Sequence, residues 1–522
     1  MIFENTKPDV LIPKADLTSV VLERAEELGD KVALIDGATG RKVSYKTLET
    51  QINHLAAGLD RIGFKKGDVC AVFCPNIPEY ATIFLAVAKV GGINTTVNSL
   101  YPTNDLIHQF NDSKAKILIT IPAFMDRALP AAKECKIKQI FALGEAKGAT
   151  PFAELLKNDG IPPSVMIDPE NDLVALPYSS GTTGLSKGVM LTHENLIANL
   201  VLTSSINTLR DEDVLIGVLP FFHIYGMVLI LNLAIYRGVT LVTMPRFDLD
   251  QFLDIVQTYK ISCLNLVPPL LLALSKHPAV DNYDISSIRL ISSGAAPLGQ
   301  ELEQACSERL DCQVYQGYGL TEVAGASHIN TIPVPVEKIG AVGKVVPNTY
   351  SKIIDTETGK ELGTNERGEV LIKGPHVMPG YLNNKEATEH CIDQEGWFHT
   401  GDIGYADEDG YFFIVDRVKE LIKYKAYQVA PAELEALLVS HDRIADAAVI
   451  PSPDEEAGEI PKAFVVLKGQ ITAEEIMTFV AERVAPHKKI RSLEVVEEIP
   501  KSASGKILRR VLVEQERERQ KN

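Results

Sequence analysis

Short runs of consecutive apolar residues, each followed by a stretch with helical spacing, recur along most of the chain, and this alternation restricts the fold more than any other feature. Val32-Ala33-Leu34-Ile35 reads as a buried strand, Asp36-Gly37 as its turn, and Tyr45 to about Ile62 as a helix. Next come a turn at Gly67-Asp68, a strand over Val69 to Phe73, a helix over Pro78 to Val90 and a strand over Lys116 to Thr120. Leu17 to Leu28 also has helical spacing. A strand that is apolar at every position has both faces covered, as in a parallel sheet with helices on either side. The expectation is a layered α/β fold. The pattern continues through Leu215 to Leu219, Val239 to Val242, Cys263 to Val267 and Ile288 to Ser292, with a helix over Leu249 to Tyr259.

From Ile339 to Gly374 the pattern changes to alternating residues and glycine turns, as in Ser351 to Asp355 and Gly368 to Ile372, which predicts a β-rich portion. Gly410 to Val415 reads as a strand ended by Asp416-Arg417. Beyond it a small α/β unit is expected: helix Pro431 to Ser440, strands Ala445 to Ile450 and Lys462 to Leu467, helix Thr472 to Val484 and strand Ser492 to Val496. The charged tail after Arg510 reads as a solvated helix end. A chain of 522 residues exceeds what one core organises. The predicted division is a large, internally subdivided domain over 1–415 and a small domain over 416–522.

The net charge of -17 argues against nonspecific nucleic-acid binding. The basic residues concentrate late, between Arg417 and Lys425 and between Lys488 and Arg510. Seven scattered cysteines do not resemble a disulfide framework, and Cys70 and Cys74 lack two further ligands for zinc. No apolar run reaches the length of a membrane span; the best, Met227 to Tyr236, reads as a buried element. Neither the opening residues nor the last four form a targeting signal, so the expectation is a cytoplasmic protein.

The strongest local signal is Tyr178-Ser179-Ser180-Gly181-Thr182-Thr183-Gly184-Leu185-Ser186-Lys187-Gly188-Val189. Glycines let the backbone turn sharply and bring amide N–H groups against phosphate oxygens. Hydroxyls add donors and Lys187 adds charge. The spacing differs from the P-loop NTPase pattern, because two residues separate Gly181 from Gly184 and two more precede the lysine. The plainer alternative is a surface turn.

Three further stretches carry chemistry. In Tyr315-Gln316-Gly317-Tyr318-Gly319-Leu320-Thr321-Glu322, Tyr318 can stack on a base, Thr321 can bind phosphate and Glu322 can hold magnesium. The alternative is an aromatic turn ending in a helix cap. In His399-Thr400-Gly401-Asp402, a carboxylate at a loop end can accept both ribose hydroxyls, or be a turn residue. In Pro500 to Arg510, Lys506 sits in a Ser/Gly turn and can reach two anions at once, or belong to a basic linker.

Together, and in this order, these motifs resemble those of the adenylate-forming superfamily of acyl-CoA synthetases, luciferase and peptide-synthetase adenylation domains, nearest the branch of 4-coumarate:CoA ligases. The resemblance runs from the Tyr45 region to Arg510. It implies a large N-terminal domain and a small mobile C-terminal domain that turns about a hinge at 416–419, with Asp416 and Lys419 as hinge residues. It further implies that Ser179, Ser180, Gly181, Thr182, Thr183, Gly184 and Lys187 face the triphosphate, that Gln316, Gly317 and Tyr318 lie beside adenine, that Thr321 contacts the α-phosphate and that Glu322 holds Mg2+. Asp402 and Arg417 match ribose contacts. Lys506 matches the catalytic lysine that bridges substrate carboxylate and α-phosphate. Tyr225, Gly294, Ala295, Gly317 and Leu320 would line the acyl pocket, with His223 as a gate or orienter. Lys423, Lys425 and Ala426 would face coenzyme A.

Three residues depart from the common pattern: Ala426 stands where relatives have glycine, and Ser186 and Ala503 where they have proline. The implied activity is ATP-dependent formation of an acyl-adenylate and then a coenzyme A thioester, on 4-coumarate or a related hydroxycinnamate. Alternatives are a fatty acyl-CoA synthetase, a luciferase-like monooxygenase, transfer to a carrier protein and a noncatalytic nucleotide-binding scaffold. The implied partners are a small carboxylic acid, ATP, Mg2+ and coenzyme A, with no nucleic acid, in a monomer or weak homodimer.

Overall fold

The computed structural model describes every residue except 180–185, 207, 331, 426, 455–456, 504 and 522. Among the described residues the chain forms two nine-stranded mixed sheets, a five-stranded antiparallel sheet and a five-stranded sheet built from residues after 421.

The first nine-stranded sheet is centred on Val69–Phe73, which pairs in parallel with Ile93–Thr96 on one side and Ile117–Thr120 on the other. Every residue of these three strands is buried, which accounts for their unbroken apolar runs. One edge turns antiparallel through Lys187–Thr192, which pairs with Leu173–Ala175, Tyr178–Ser179 and Gly380–Tyr381. The second sheet has a parallel centre from Val32–Asp36 to Gln313–Leu320, in the order Val32–Asp36, Thr240–Thr243, Val214–Gly217, Cys263–Leu266, Leu290–Ser293 and Gln313–Leu320.

Helix Pro78–Lys89 starts with proline at its first turn, where no amide is needed, and packs against strands of both sheets. Beside it lies Tyr45–Arg61, capped by Ser44, whose hydroxyl accepts from the Thr47 amide. One core cluster runs through both sheets and these helices.

The β-rich expectation corresponds to the antiparallel sheet Ile2–Glu4, Tyr350–Ile354, Gly368–Lys373, Phe398–Ala406 and Phe412–Arg417. The small unit has its own core, from Ile422 to Ile490, on strands Ile422–Tyr424, Ile444–Asp454 and Gly458–Leu467 and helices Pro431–Ser440 and Ala473–Ala481. It touches the rest through Lys276 Nζ, which donates to the Val439 carbonyl at 3.4 Å, and through Gly299 beside Ala436.

Two expectations change, and one gains detail. Leu17 to Leu28 is two short helices, Leu17–Val21 and Ala25–Leu28, because the first stops at Leu22 and the chain turns through 22–24. Met227 to Tyr236 is largely buried, as expected, in a wide helical turn over Tyr225–Asn232 that continues as the α-helix Leu233–Arg237. The terminal helix Arg509–Lys521 is not merely solvated: Leu512 and Glu516 are buried, and Lys462 Nζ donates to Glu516 at 2.6 Å. No helix among the described residues is long and apolar enough to cross a membrane, and all seven cysteines are free.

Candidate active site

The strand ends of both large sheets converge on one polar cleft. Ser179 and Lys187 face each other across the antiparallel pair that brackets residues 180–185. Ser180, Gly181, Thr182, Thr183 and Gly184 lie outside the described residues, as does Ala426. The flanks of that segment are held by helix Thr103–Ser113. The Tyr178 hydroxyl donates to Asp112 at 2.6 Å, and His108 Nε2 lies 3.0 Å from the Ser186 carbonyl. Asn383 Nδ2 donates to the other Asp112 oxygen at 3.1 Å, which ties the same carboxylate to the segment carrying Tyr381.

Lys187 Nζ sits 4.9 Å from the centre of the Tyr381 ring, and the Tyr381 hydroxyl donates to Glu322 at 2.9 Å. One tyrosine thus stands between a cation and a buried carboxylate. Glu322 lies in the turn Thr321–Val323, which follows strand Gln313–Leu320 and leads into its hairpin partner Gly325–Ile329. Among the described residues no three His, Cys, Asp or Glu side chains cluster as a protein-only metal site. A lone carboxylate beside a phosphate site suits magnesium, which keeps waters and phosphate oxygens as its other ligands. Glu322 fits that ion.

Asp402 and Arg417 are partners across Phe398–Ala406 and Phe412–Arg417. Arg417 Nε lies 3.2 Å from one Asp402 oxygen, and the Tyr318 hydroxyl donates to the other at 2.6 Å. Burial pushes the Asp402 carboxyl up, against the pull of Arg417. The Gln316 side chain is turned into the protein, donating to Glu303 at 2.7 Å and exchanging bonds with Leu298, so only its backbone can meet a ligand. Burial pushes Glu303 up to about 7.

Lys506 occupies a turn closed by the Lys501–Ile507 bridge, with Gly505 in the left-handed region at φ 77°. A Cβ on Gly505 would lie 3.0 Å from Val267, so this turn of the small unit reaches the large sheets. Burial, and then the charge of Arg417, lower the Lys506 ammonium to about 8. Asp402 and His223 both feel the Lys506 charge. Burial and Lys506 lower His223 to about 4, so it is neutral at pH 7. Its Nδ1 accepts from the Tyr225 amide at 3.3 Å, which leaves the proton on Nε2.

Tyr225 packs its ring edge against Gly294, where a Cβ would lie 3.0 Å from Cε1. Its hydroxyl is bonded to Ser292, 3.2 Å from the carbonyl, so the ring is the part presented beside Gly294. Ala295 has φ 67°, a left-handed turn just beyond strand Leu290–Ser293. Gly317 and Leu320 follow in the neighbouring strand. Asp416 accepts from the Ala432 amide at 2.8 Å, at the start of helix Pro431–Ser440, and is buried, whereas Lys419 is exposed. Lys423 and Lys425 stand exposed on a separate hairpin, Ile422–Tyr424 with Tyr427–Val429, whose backbone is fixed by Glu459 and the Ala457 carbonyl.

The structure therefore gathers Ser179, Lys187, Thr321, Glu322, Tyr318, Asp402, Arg417, Lys506 and His223, whereas Lys423 and Lys425 are exposed on their own hairpin. Sequence reasoning passed over Tyr381, Asp112, Asn383, Glu420 and Arg509. Arg509 and Glu420 stood in stretches already singled out for their other residues; Tyr381, Asp112 and Asn383 have no local signal, because each acts through a partner distant in sequence.

The AMP-binding enzyme family matches residues 21–382, and the AMP-binding enzyme C-terminal domain matches residues 433–506. The chain is 45% identical over 525 residues to 4-coumarate--CoA ligase 2 of Petroselinum crispum, covering 98% of this chain and 96% of that one. It is 43% identical over 522 residues to 4-coumarate--CoA ligase of Pinus taeda, covering 98% and 97%. Its fold is similar to that of the anthranilate CoA ligase AuaEII in complex with anthranoyl-AMP, with a TM-score of 0.90, 25% identity and 97% and 98% of the two chains covered. It is also similar to ATP-bound MatB from Rhodopseudomonas palustris, with a TM-score of 0.87, 29% identity and 96% and 99% covered. With its large α/β domain, its small α/β domain and this cleft, the chain belongs to the AMP-binding enzyme family and is an acid–thiol ligase of that family.

Proposed function

We propose that this chain joins a hydroxycinnamate, 4-coumarate or a close relative, to coenzyme A through an acyl-adenylate. The observation that carries the reading is the meeting of Lys506, Arg417 and Lys187 around a cleft that also holds Glu322 and Asp402. The relatives named 4-coumarate--CoA ligase, at 43–45% identity over 98% of the chain, support the choice of acid. The Tyr225 ring, packed against Gly294 at the end of strand Leu290–Ser293, would supply an aromatic wall for an aromatic acid.

In the first half-reaction a substrate carboxylate oxygen bonds to the α-phosphorus of ATP, and the bond to pyrophosphate breaks. Both reactants are anions. Lys506 reaches the substrate carboxylate and α-phosphate, and Lys187 with Ser179 to Gly184 faces the β- and γ-phosphates, so the repulsion is offset where it is greatest. Gln316, Gly317 and Tyr318 lie along adenine, Thr321 against the α-phosphate, and Asp402 and Arg417 on ribose. Glu322 would hold Mg2+, which supplies further charge neutralisation at the phosphates.

In the second half-reaction the thiol sulfur of coenzyme A bonds to the acyl carbon, the thiol proton is lost and AMP leaves. A division at 1–415 and 416–522, with Asp416 and Lys419 in the hinge, would let the small domain exchange the Lys506 face for the exposed hairpin of Lys423 and Lys425. His223, neutral and accepting from the Tyr225 amide, would act as a gate or orienter near the acyl and thiol groups. Tyr225, Gly294, Ala295, Gly317 and Leu320 would line the acyl space.

Exchange of labelled pyrophosphate into ATP, measured acid by acid, tests the first step. Paired thioester assays with 4-coumarate, hexanoate and longer acids test the substrate. Saturation by 4-coumarate at the lowest concentration is expected; saturation only by aliphatic acids would replace the hydroxycinnamate with a fatty acid. No exchange with any acid would leave a noncatalytic scaffold.

The bond between Tyr381 and Glu322 gives a further expectation. Tyr381→Phe removes the donor that orients the proposed magnesium ligand. The Mg2+ concentration for half-maximal exchange rises roughly tenfold, since partners that orient a ligand are typically worth that much or more. An unchanged magnesium titration would remove Glu322 from the role.

A further inference from the structure

Lys506 keeps an unusual position: a cation with acidic neighbours, yet with no ion pair among the described residues. The nearby carboxylate most able to capture it is Glu420, whose charge it feels. Glu420 is instead taken by Arg509 Nη1. Arg509 begins the terminal helix, three residues beyond Lys506. Its other two nitrogens are fixed on Glu435, Nη2 at 2.5 Å and Nε at 3.1 Å. Glu435 is itself buried on helix Pro431–Ser440 and accepts from the Val449 amide at 2.8 Å. A planar guanidinium held by two parallel bonds has one direction left for its remaining donor, and that direction is Glu420.

We propose that Arg509 is a positioning residue for acid activation: anchored on Glu435, it occupies Glu420 and so keeps the Lys506 ammonium free for the anions in the cleft. The inference rests on the adenylate-forming role given to Lys506 above. Without Arg509, Glu420 is a half-buried, unpaired carboxylate beside an unpaired ammonium, and the two pair. Lys506 is then withdrawn from the substrates, and its proton is held more tightly. The groups that face Lys506 are Arg417 and Asp402 from the antiparallel sheet, Glu420 from the turn after Arg417, Arg509 from its own segment and His223 from the large sheets. Among these only Glu420 and Arg509 are exchanged in the test, so the other charges are constant.

The experiment is the pH profile of pyrophosphate exchange for the wild type, Glu420→Gln, Arg509→Met and the double variant, each checked for folding by circular dichroism. The wild type loses activity on an alkaline limb near pH 8. Arg509→Met lowers exchange at pH 7 by roughly tenfold or more and moves that limb upward. Glu420→Gln alone moves it downward, because a charge that favours the ammonium is gone. The double variant regains most of the exchange lost by Arg509→Met. A folded double variant no better than Arg509→Met overturns the proposal, as does an Arg509→Met limb that stays in place. Should Arg509→Met fail to fold, Glu420→Gln decides: a downward limb supports the proposal, and an unmoved or upward limb overturns it. A wild type that exchanges with no acid overturns the adenylate-forming activity, and this inference with it.

Discussion

Alanine at position 506 lowers acid-dependent pyrophosphate exchange by roughly 10²–10³-fold, the usual cost of removing one group aimed at transition-state charge. Attack of coenzyme A on a supplied acyl-adenylate is retained within a few-fold, because the phosphorus–oxygen bond that Lys506 serves is already made. The charge state decides the pH dependence. Burial and Arg417 lower the Lys506 ammonium to about 8 in the free enzyme. Below that pH the side chain carries its proton and attracts both anions; above it the charge is lost and so is the attraction. The alkaline limb therefore appears in kcat/KM near pH 8. In kcat it lies higher, because bound ATP favours the ammonium. Lys506→Arg keeps its charge through this range and has no such limb, though its fork geometry lowers the rate. Equal loss of both half-reactions in Lys506→Ala, or an alkaline limb that survives in Lys506→Arg, would deny the lysine this role.

Much of the fold was legible because its signals are local. Val69–Phe73, Leu249–Tyr259 and Pro431–Ser440 lie where apolar runs or helical spacing place them. Each has a strong apolar run or period and a clear end, such as the proline that opens Pro431–Ser440. The terminal helix misled because its charges are dense. Glu516 is buried by a lysine 54 residues earlier in the chain, and no window along the sequence contains both.

The same limit applies to the site. Glycine, lysine and acidic motifs marked the groups that face a ligand, and the structure draws those from distant segments into one cleft. What holds them was not marked. Tyr381 lies 59 residues from Glu322, Asp112 lies 66 from Tyr178, and Glu420 lies 89 from Arg509. These pairs are made by topology: strand Gly380–Tyr381 joins the edge of Lys187–Thr192, and helix Thr103–Ser113 crosses behind it. Gln316 shows the converse. Its motif placed it beside adenine, but its side-chain amide satisfies buried Glu303 and leaves the cleft to the backbone.

Two glycines of one motif separate the demands of packing from those of binding. At Gly319 a Cβ would lie 1.8 Å from the Gly325 carbonyl oxygen and 2.7 Å from the Ala326 Cα, inside the backbone of the partner strand. Backbone cannot swing aside as a side chain does, so Gly319→Ala must part the hairpin Gln313–Leu320 with Gly325–Ile329. That hairpin aims Tyr318 at Asp402 and leads into Glu322. The expected cost is about 3 kcal/mol or more, at the upper end for overpacking, and exchange activity falls with it. At Gly317 the nearest atoms to a Cβ are 3.4 and 3.5 Å away, ordinary contact, so Gly317→Ala costs less than about 1 kcal/mol. Urea unfolding midpoints of the two variants test the difference. Gly319→Ala unfolding with the wild type would mean that the hairpin is not packed this closely. A Gly317→Ala protein that unfolds with the wild type but exchanges poorly would place its new methyl group where adenine or the acyl group lies, which is a demand of the ligand and not of the fold.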